Sequence, residues 1–120
     1  MKIMIVEDNA LNKELLETIL DANGYDLVSI DNGHDVLPTA KSSSPDLILM
    51  DIHMAGVDGY MALELLRNND ETRDIRVIAI TGNATENDRE RINAAGFDDI
   101  VIKPYSIDGI LETISSLSSE

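Results

Sequence analysis

The chain contains no cysteine, so neither disulfides nor thiolate metal sites are available to it, as suits a reducing compartment. Basic residues are scarce: 9 Lys and Arg stand against 23 Asp and Glu, a formal net charge of −14. Such a chain is repelled by nucleic acid and by anionic membrane surfaces, and neither is expected as a partner. Long apolar runs are also missing. The N-terminal run from Ile3 to Val6 stops at Glu7 and Asp8. That is too short for a secretory signal, and a membrane span needs ~20 apolar residues. A soluble cytoplasmic protein is expected. No linker long enough to separate a pair of domains is present and no repeat period emerges, so residues 1–120 read as one domain. Hydrophobic content of 43% argues against disorder, and the length suffices for one buried core.

Apolar segments of two kinds alternate along the chain. Ile3 to Val6, Tyr25 to Ile30, Leu47 to Met50, Val77 to Ile80 and Ile100 to Ile102 are short runs of strand character. Between them lie segments of helical spacing. Leu11, Leu15, Leu16, Ile19 and Leu20 precede a stop at Gly24. His34 to Lys41 is a weaker helix with Pro38 inside it or near its start, followed by a loop over Ser42 to Pro45. Tyr60 to Arg67 offers Met61, Leu63, Leu65 and Leu66 for packing, and Glu86 to Ala95 ends at Gly96. The last helix carries Ile107, Ile110, Leu111, Ile114 and Leu117 behind a Ser106 cap, with a fraying tail from Ser115. Five strand–helix repeats with continuous apolar strands indicate a parallel sheet covered on both faces by right-handed crossovers.

Ligands of open parallel α/β sheets bind beyond the carboxyl ends of the strands. The residues there are Glu7 and Asp8 after the first strand, Asp51 after the third, Thr81 after the fourth and Lys103 after the fifth. Each has an ordinary reading: Asp8 or Asn9 as a helix cap, Glu7 and Asp51 as turn carboxylates, Thr81 as a β-branched strand end, Lys103 as a surface lysine. Their coincidence on one edge favours a joint function. Clustered carboxylates repel, and a divalent cation relieves that repulsion. Oxygen ligands favour Mg²⁺, which uses one or two carboxylates together with phosphate oxygens. The cation and a lysine can then neutralise a phosphoryl group placed on a carboxylate, and a hydroxyl can sense it.

These residues resemble the receiver domain of two-component response regulators. The resemblance spans essentially the whole chain. It rests on Val6-Glu7-Asp8-Asn9, Pro45-Asp46-Leu47-Ile48-Leu49-Met50-Asp51, Asp58-Gly59, Thr81-Gly82 and Lys103-Pro104. It implies a doubly wound flavodoxin-like (βα)5 fold with strand order 2-1-3-4-5. It also implies that Asp51 takes a phosphoryl group from a phosphohistidine of a histidine kinase or phosphotransfer protein. Glu7, Asp8, Asp51 and the backbone carbonyl of His53 would hold Mg²⁺. Thr81 would move toward the phosphoryl group and Lys103 would pair with it. The Lys103–Pro104 bond is expected to be cis. Asn9, Asn12, Pro104 and Tyr105 are candidate partner contacts. The domain would relay phosphoryl groups or signal by protein–protein contact, without turning over an external substrate.

The sequence departs from the family pattern in three places. Ile100 stands where the family often carries an aromatic switch residue, so a ring at that site cannot be the readout. Met54-Ala55 replaces a frequent Met-Pro pair, and the first acidic pair is Glu-Asp. His53 lacks a second His or Cys nearby to make its ring a metal ligand. It is expected to border the phosphoryl site with Asn83 and to tune access of water there. His34 reads as a helix-end surface residue. Other functions fit less well. A flavodoxin-like cofactor carrier needs a phosphate-cradling loop where Glu7 and Asp8 stand. A phosphatase needs a second aspartate two residues after Asp51. A degenerate receiver serving only as an interaction module sits poorly with an intact acidic edge.

Overall fold

A computed structural model describes residues 1–82, 85–103 and 106–118. Its elements alternate strictly: β1 (Lys2–Val6), α1 (Ala10–Ala22), β2 (Asp26–Ile30), α2 (Val36–Ser43), β3 (Leu47–Asp51), α3 (Gly59–Arg67), β4 (Arg76–Thr81), α4 (Glu86–Ala95), β5 (Asp99–Ile102) and α5 (Ile107–Ser118). The strands form one parallel sheet in the order β2-β1-β3-β4-β5.

Period-two alternation along the strands divides the core between two faces. Ile3, Ile5, Leu47, Leu49, Ile78 and Ile80 meet Leu16, Ile19 and Leu20 of α1 and Ile110 and Ile114 of α5. Met4, Val6, Ile48, Met50, Val77 and Ala79 meet residues of α2, α3 and α4, among them Val36, Ala62, Leu63, Leu66 and Ile92. Both faces are therefore covered, and the strands are apolar throughout for that reason. The order reverses at β1, which has β2 on one side and β3 on the other. The crevice beyond the carboxyl ends of β1 and β3 is the switch point of the sheet.

Several local expectations need correction. Met61 and Leu65 are exposed, and α3 packs instead through Ala62, Leu63 and Leu66. Leu11, Leu15 and Ile107 are likewise exposed. Ser42 and Ser43 continue α2 rather than opening the loop, because both hydroxyls donate to the Thr39 carbonyl and follow the helix. The helix stops at Ser44, which adopts φ 48°. Helix α5 runs to Ser118. Asn9 caps α1 by accepting the Asn12 N–H at 3.0 Å, and Ser106 accepts the Gly109 N–H at 2.9 Å.

Candidate functional site

The register of the sheet brings the acidic strand ends together. Val6 pairs with Met50 and Asp51 with Ile80, so the residues that follow β1, end β3 and end β4 share one edge. Backbone bonds extend the order past the strands. The Glu7 N–H donates to the Ile30 carbonyl at 3.1 Å, the Ile52 N–H to Ile80 at 3.1 Å, and the Lys103 N–H to Thr81 at 2.8 Å. Glu7, Asp51 and Thr81 are buried, at 1%, 4% and 2% exposure, whereas Asp8 is exposed. One carboxylate oxygen from each of Glu7, Asp8 and Asp51 falls within 4.8 Å of the others.

Lys103 crosses the cluster. Its Nζ donates to Asp51 Oδ2 at 2.9 Å and to Glu7 Oε1 at 3.2 Å. The other Asp51 oxygen, Oδ1, accepts the His53 N–H at 2.9 Å. Glu7 Oε2 is buried and has no hydrogen-bond partner among the described residues. Burial, followed by the proton it shares with Asp51 and by that residue's charge, raises the Glu7 carboxyl from its usual 4.5 to about 7, against the pull of Lys103. Burial pushes Asp51 upward too, but bonds from Glu7, Lys103 and the His53 N–H outweigh it and hold Asp51 below its usual value. Burial disfavours the Lys103 ammonium, yet its bond and attraction to Asp51, aided by Glu7, raise its pKa overall. The two buried carboxyls are thus unlike: Asp51 is held as the anion, and Glu7 is the group that takes up a proton as pH falls through about 7.

The segment from Ile52 to Asp58 is clamped at both ends by glycines. A Cβ on Gly59 would lie 2.7 Å from Ile52 Cα, and one on Gly33 would lie 2.1 Å from the Val57 carbonyl oxygen. Gly59 N–H also donates to the Ile52 carbonyl at 3.0 Å. The role of Gly33 has almost no signature in the sequence. Its only signal is its place in Asp31-Asn32-Gly33, which reads as an ordinary turn. The His53 side chain is exposed, with Nε2 3.4 Å from Thr81 Oγ1. Asn9 is exposed and Asn12 half-buried at the start of α1. Pro104, Tyr105 and Asn83, together with the Lys103–Pro104 bond, lie outside the described residues.

The chain resembles known proteins along nearly its whole length. The family model "response regulator receiver domain" matches residues 3–115, and the chain belongs to that family, a class of signalling domains. It is 42% identical over 114 residues to the polar-differentiation response regulator DivK of Brucella anthropi, covering 95% of this chain and 93% of the relative. Among solved structures, the receiver domain of a sensor histidine kinase from Pseudomonas aeruginosa superposes with a TM-score of 0.92 at 30% identity, covering 99% of this chain and 98% of that one. That domain has a magnesium ion coordinated in its active-site cleft. A signal receiver domain of a histidine kinase from Syntrophus aciditrophicus gives 0.90 at 31% identity, covering 98% and 89%. Among the described residues, no helix is long and apolar enough to cross a membrane.

Proposed function

We propose that Asp51 accepts a phosphoryl group from a phosphohistidine and that the domain signals in the phosphorylated state. The observation that carries this reading is the asymmetry of the buried carboxyls. Asp51 is held as an anion between the His53 N–H and the Lys103 ammonium, beside a Glu7 oxygen that no protein group among the described residues satisfies. An isolated structural ion pair has no reason to retain a second buried carboxyl oriented into it.

The orphaned Glu7 Oε2 and the grouping of Glu7, Asp8 and Asp51 oxygens fit a hard divalent cation. Glu7, Asp8, Asp51 and the His53 carbonyl would hold Mg²⁺. When bound, Mg²⁺ supplies positive charge to the phosphoryl oxygens. The remaining work belongs to the chain. An Asp51 oxygen forms the bond to phosphorus as the phosphorus–nitrogen bond to the donor imidazole breaks, leaving an acyl phosphate and a free histidine. Lys103 is close enough to transfer one of its hydrogen bonds from the carboxylate to a phosphoryl oxygen. Thr81, at the end of β4, offers a hydroxyl to another.

The donor is a histidine kinase or a histidine phosphotransfer protein, and the reaction takes place in the cytoplasm. Residues 1–120 act as one receiver domain that turns over no external substrate. Incubation with acetyl phosphate and Mg²⁺, followed by intact mass measurement, tests the reading. One phosphoryl group should be gained, and none in Asp51→Asn. A gain that persists in that variant refutes the site. No gain with or without Mg²⁺ leaves an interaction module.

A further inference from the structure

His53 touches both Asp51 and Thr81. Its backbone N–H is bonded to Asp51 Oδ1, and its ring Nε2 stands 3.4 Å from Thr81 Oγ1. The contact joins the hydroxyl of a residue that is 2% exposed to the ring of an exposed histidine. Its length is at the far end of the hydrogen-bond range, so it is weak and easily exchanged. A phosphoryl oxygen on Asp51 would be a charged acceptor and a stronger partner for the same hydroxyl.

We propose that His53 is a positioning residue for Thr81. Its imidazole holds the hydroxyl at the rim of the unphosphorylated site, and transfer of that hydroxyl to a phosphoryl oxygen releases the ring. His53 then reports phosphorylation on the segment between β3 and α3, where Ala55 and Gly56 are also exposed. This rests on the reading of Asp51 as acceptor. It also supplies what position 100 lacks: a ring tied to Thr81, on the opposite side of β4 from Ile100 of β5.

The test follows the His53 ring nitrogens by NMR at one fixed pH, with Mg²⁺ alone and then with Mg²⁺ and acetyl phosphate, with intact masses taken on the same samples. Thr81→Ala should shift the resting Nε2 resonance, and Thr81→Ser, which keeps the hydroxyl, should not. Phosphorylation of the wild type should shift it in the same direction as Thr81→Ala. His53→Ala should speed phosphoryl gain roughly 2- to 10-fold, the worth of one net hydrogen bond, and His53→Gln, whose amide can meet the hydroxyl, should restore the wild-type rate. A resting resonance indifferent to Thr81→Ala, a mass gain without a ring shift, or an unchanged rate in His53→Ala overturns the positioning role while leaving Asp51 as acceptor. Absence of any mass gain in the wild type overturns the acceptor reading and this proposal with it.

Discussion

The sheet carries a charged cluster at each end, and the two are built to opposite rules. At the amino end of β4 and β5, the Arg67 guanidinium donates to the Arg73, Ile75 and Gly96 carbonyls at 2.8, 2.6 and 3.3 Å and to Asp98 Oδ2 at 3.1 Å. Asp98 accepts the Val77 N–H at 2.7 Å with the same oxygen. This cluster completes itself and staples α3 to β4 and the turn before β5. At the carboxyl end, Lys103 is divided between two carboxylates and one Glu7 oxygen has no partner among the described residues. A self-satisfied cluster stabilises the fold, whereas a buried polar atom left open costs stability and offers an acceptor to a ligand.

Exchanging the damage between the two ends gives the largest contrast. Asp51→Asn should abolish phosphoryl gain entirely and leave the cooperative unfolding transition intact. Arg67→Ala should do the reverse, keeping the gain and lowering stability. Intact mass and urea denaturation on both variants would separate them, and a loss of phosphorylation in Arg67→Ala would show that the two ends are not independent.

The backbone at the carboxyl end is far less open than its side chains. Gly33→Ala would set a methyl group 2.1 Å from the Val57 carbonyl oxygen, so the segment after Asp51 must move. Overpacking of this kind should cost about 3 kcal/mol in urea denaturation. Arg67→Ala should cost less, about 2 kcal/mol, since its hydrogen bonds are partly open to water and the freed carbonyls can be rehydrated. A Gly33→Ala variant as stable as wild type would mean that this segment is loosely held.

Much of this was legible in the sequence because it is periodic or follows from strand ends. The continuous apolar strands, the interleaved helices and the convergence of Glu7, Asp8, Asp51, Thr81 and Lys103 needed only local patterns and a rule about where parallel sheets bind ligands. What escaped reading is long-range or ambiguous in phase. Arg67 and Asp98 lie 31 positions apart with no motif between them. Gly33 acts through Val57, and its own neighbourhood resembles any turn. Helix α3 spans 9 residues with apolar side chains nearly all round, so Met61 and Leu65 could not be told from the packing face until the angle of the helix was known. The proton on Glu7 was foreseeable only in kind: crowded carboxylates raise one another, but which of them yields depends on where Lys103 and the His53 N–H fall.

That proton gives the carboxyl end a pH dependence of its own. Glu7 is raised from 4.5 to about 7, so the native state binds more protons than the unfolded chain between those values. Its contribution to stability is fully present below 4.5 and is lost as pH rises through about 7. Asp51 has the opposite sign: its pKa lies below 3.8, and its contribution is present above that value and lost as pH falls through the lowered one. A divalent cation needs Glu7 without its proton. Mg²⁺ affinity, measured by calorimetry, should therefore fall as pH drops below about 7, by up to roughly tenfold per pH unit where one proton is displaced. Glu7→Gln removes that proton from the exchange. It should flatten the profile while weakening binding overall, and metal-free stability should no longer decline as pH rises through the same window. A wild-type affinity that stays level across this range would mean that the cation leaves Glu7 protonated and is held by Asp8 and Asp51, so that the open oxygen is not its ligand.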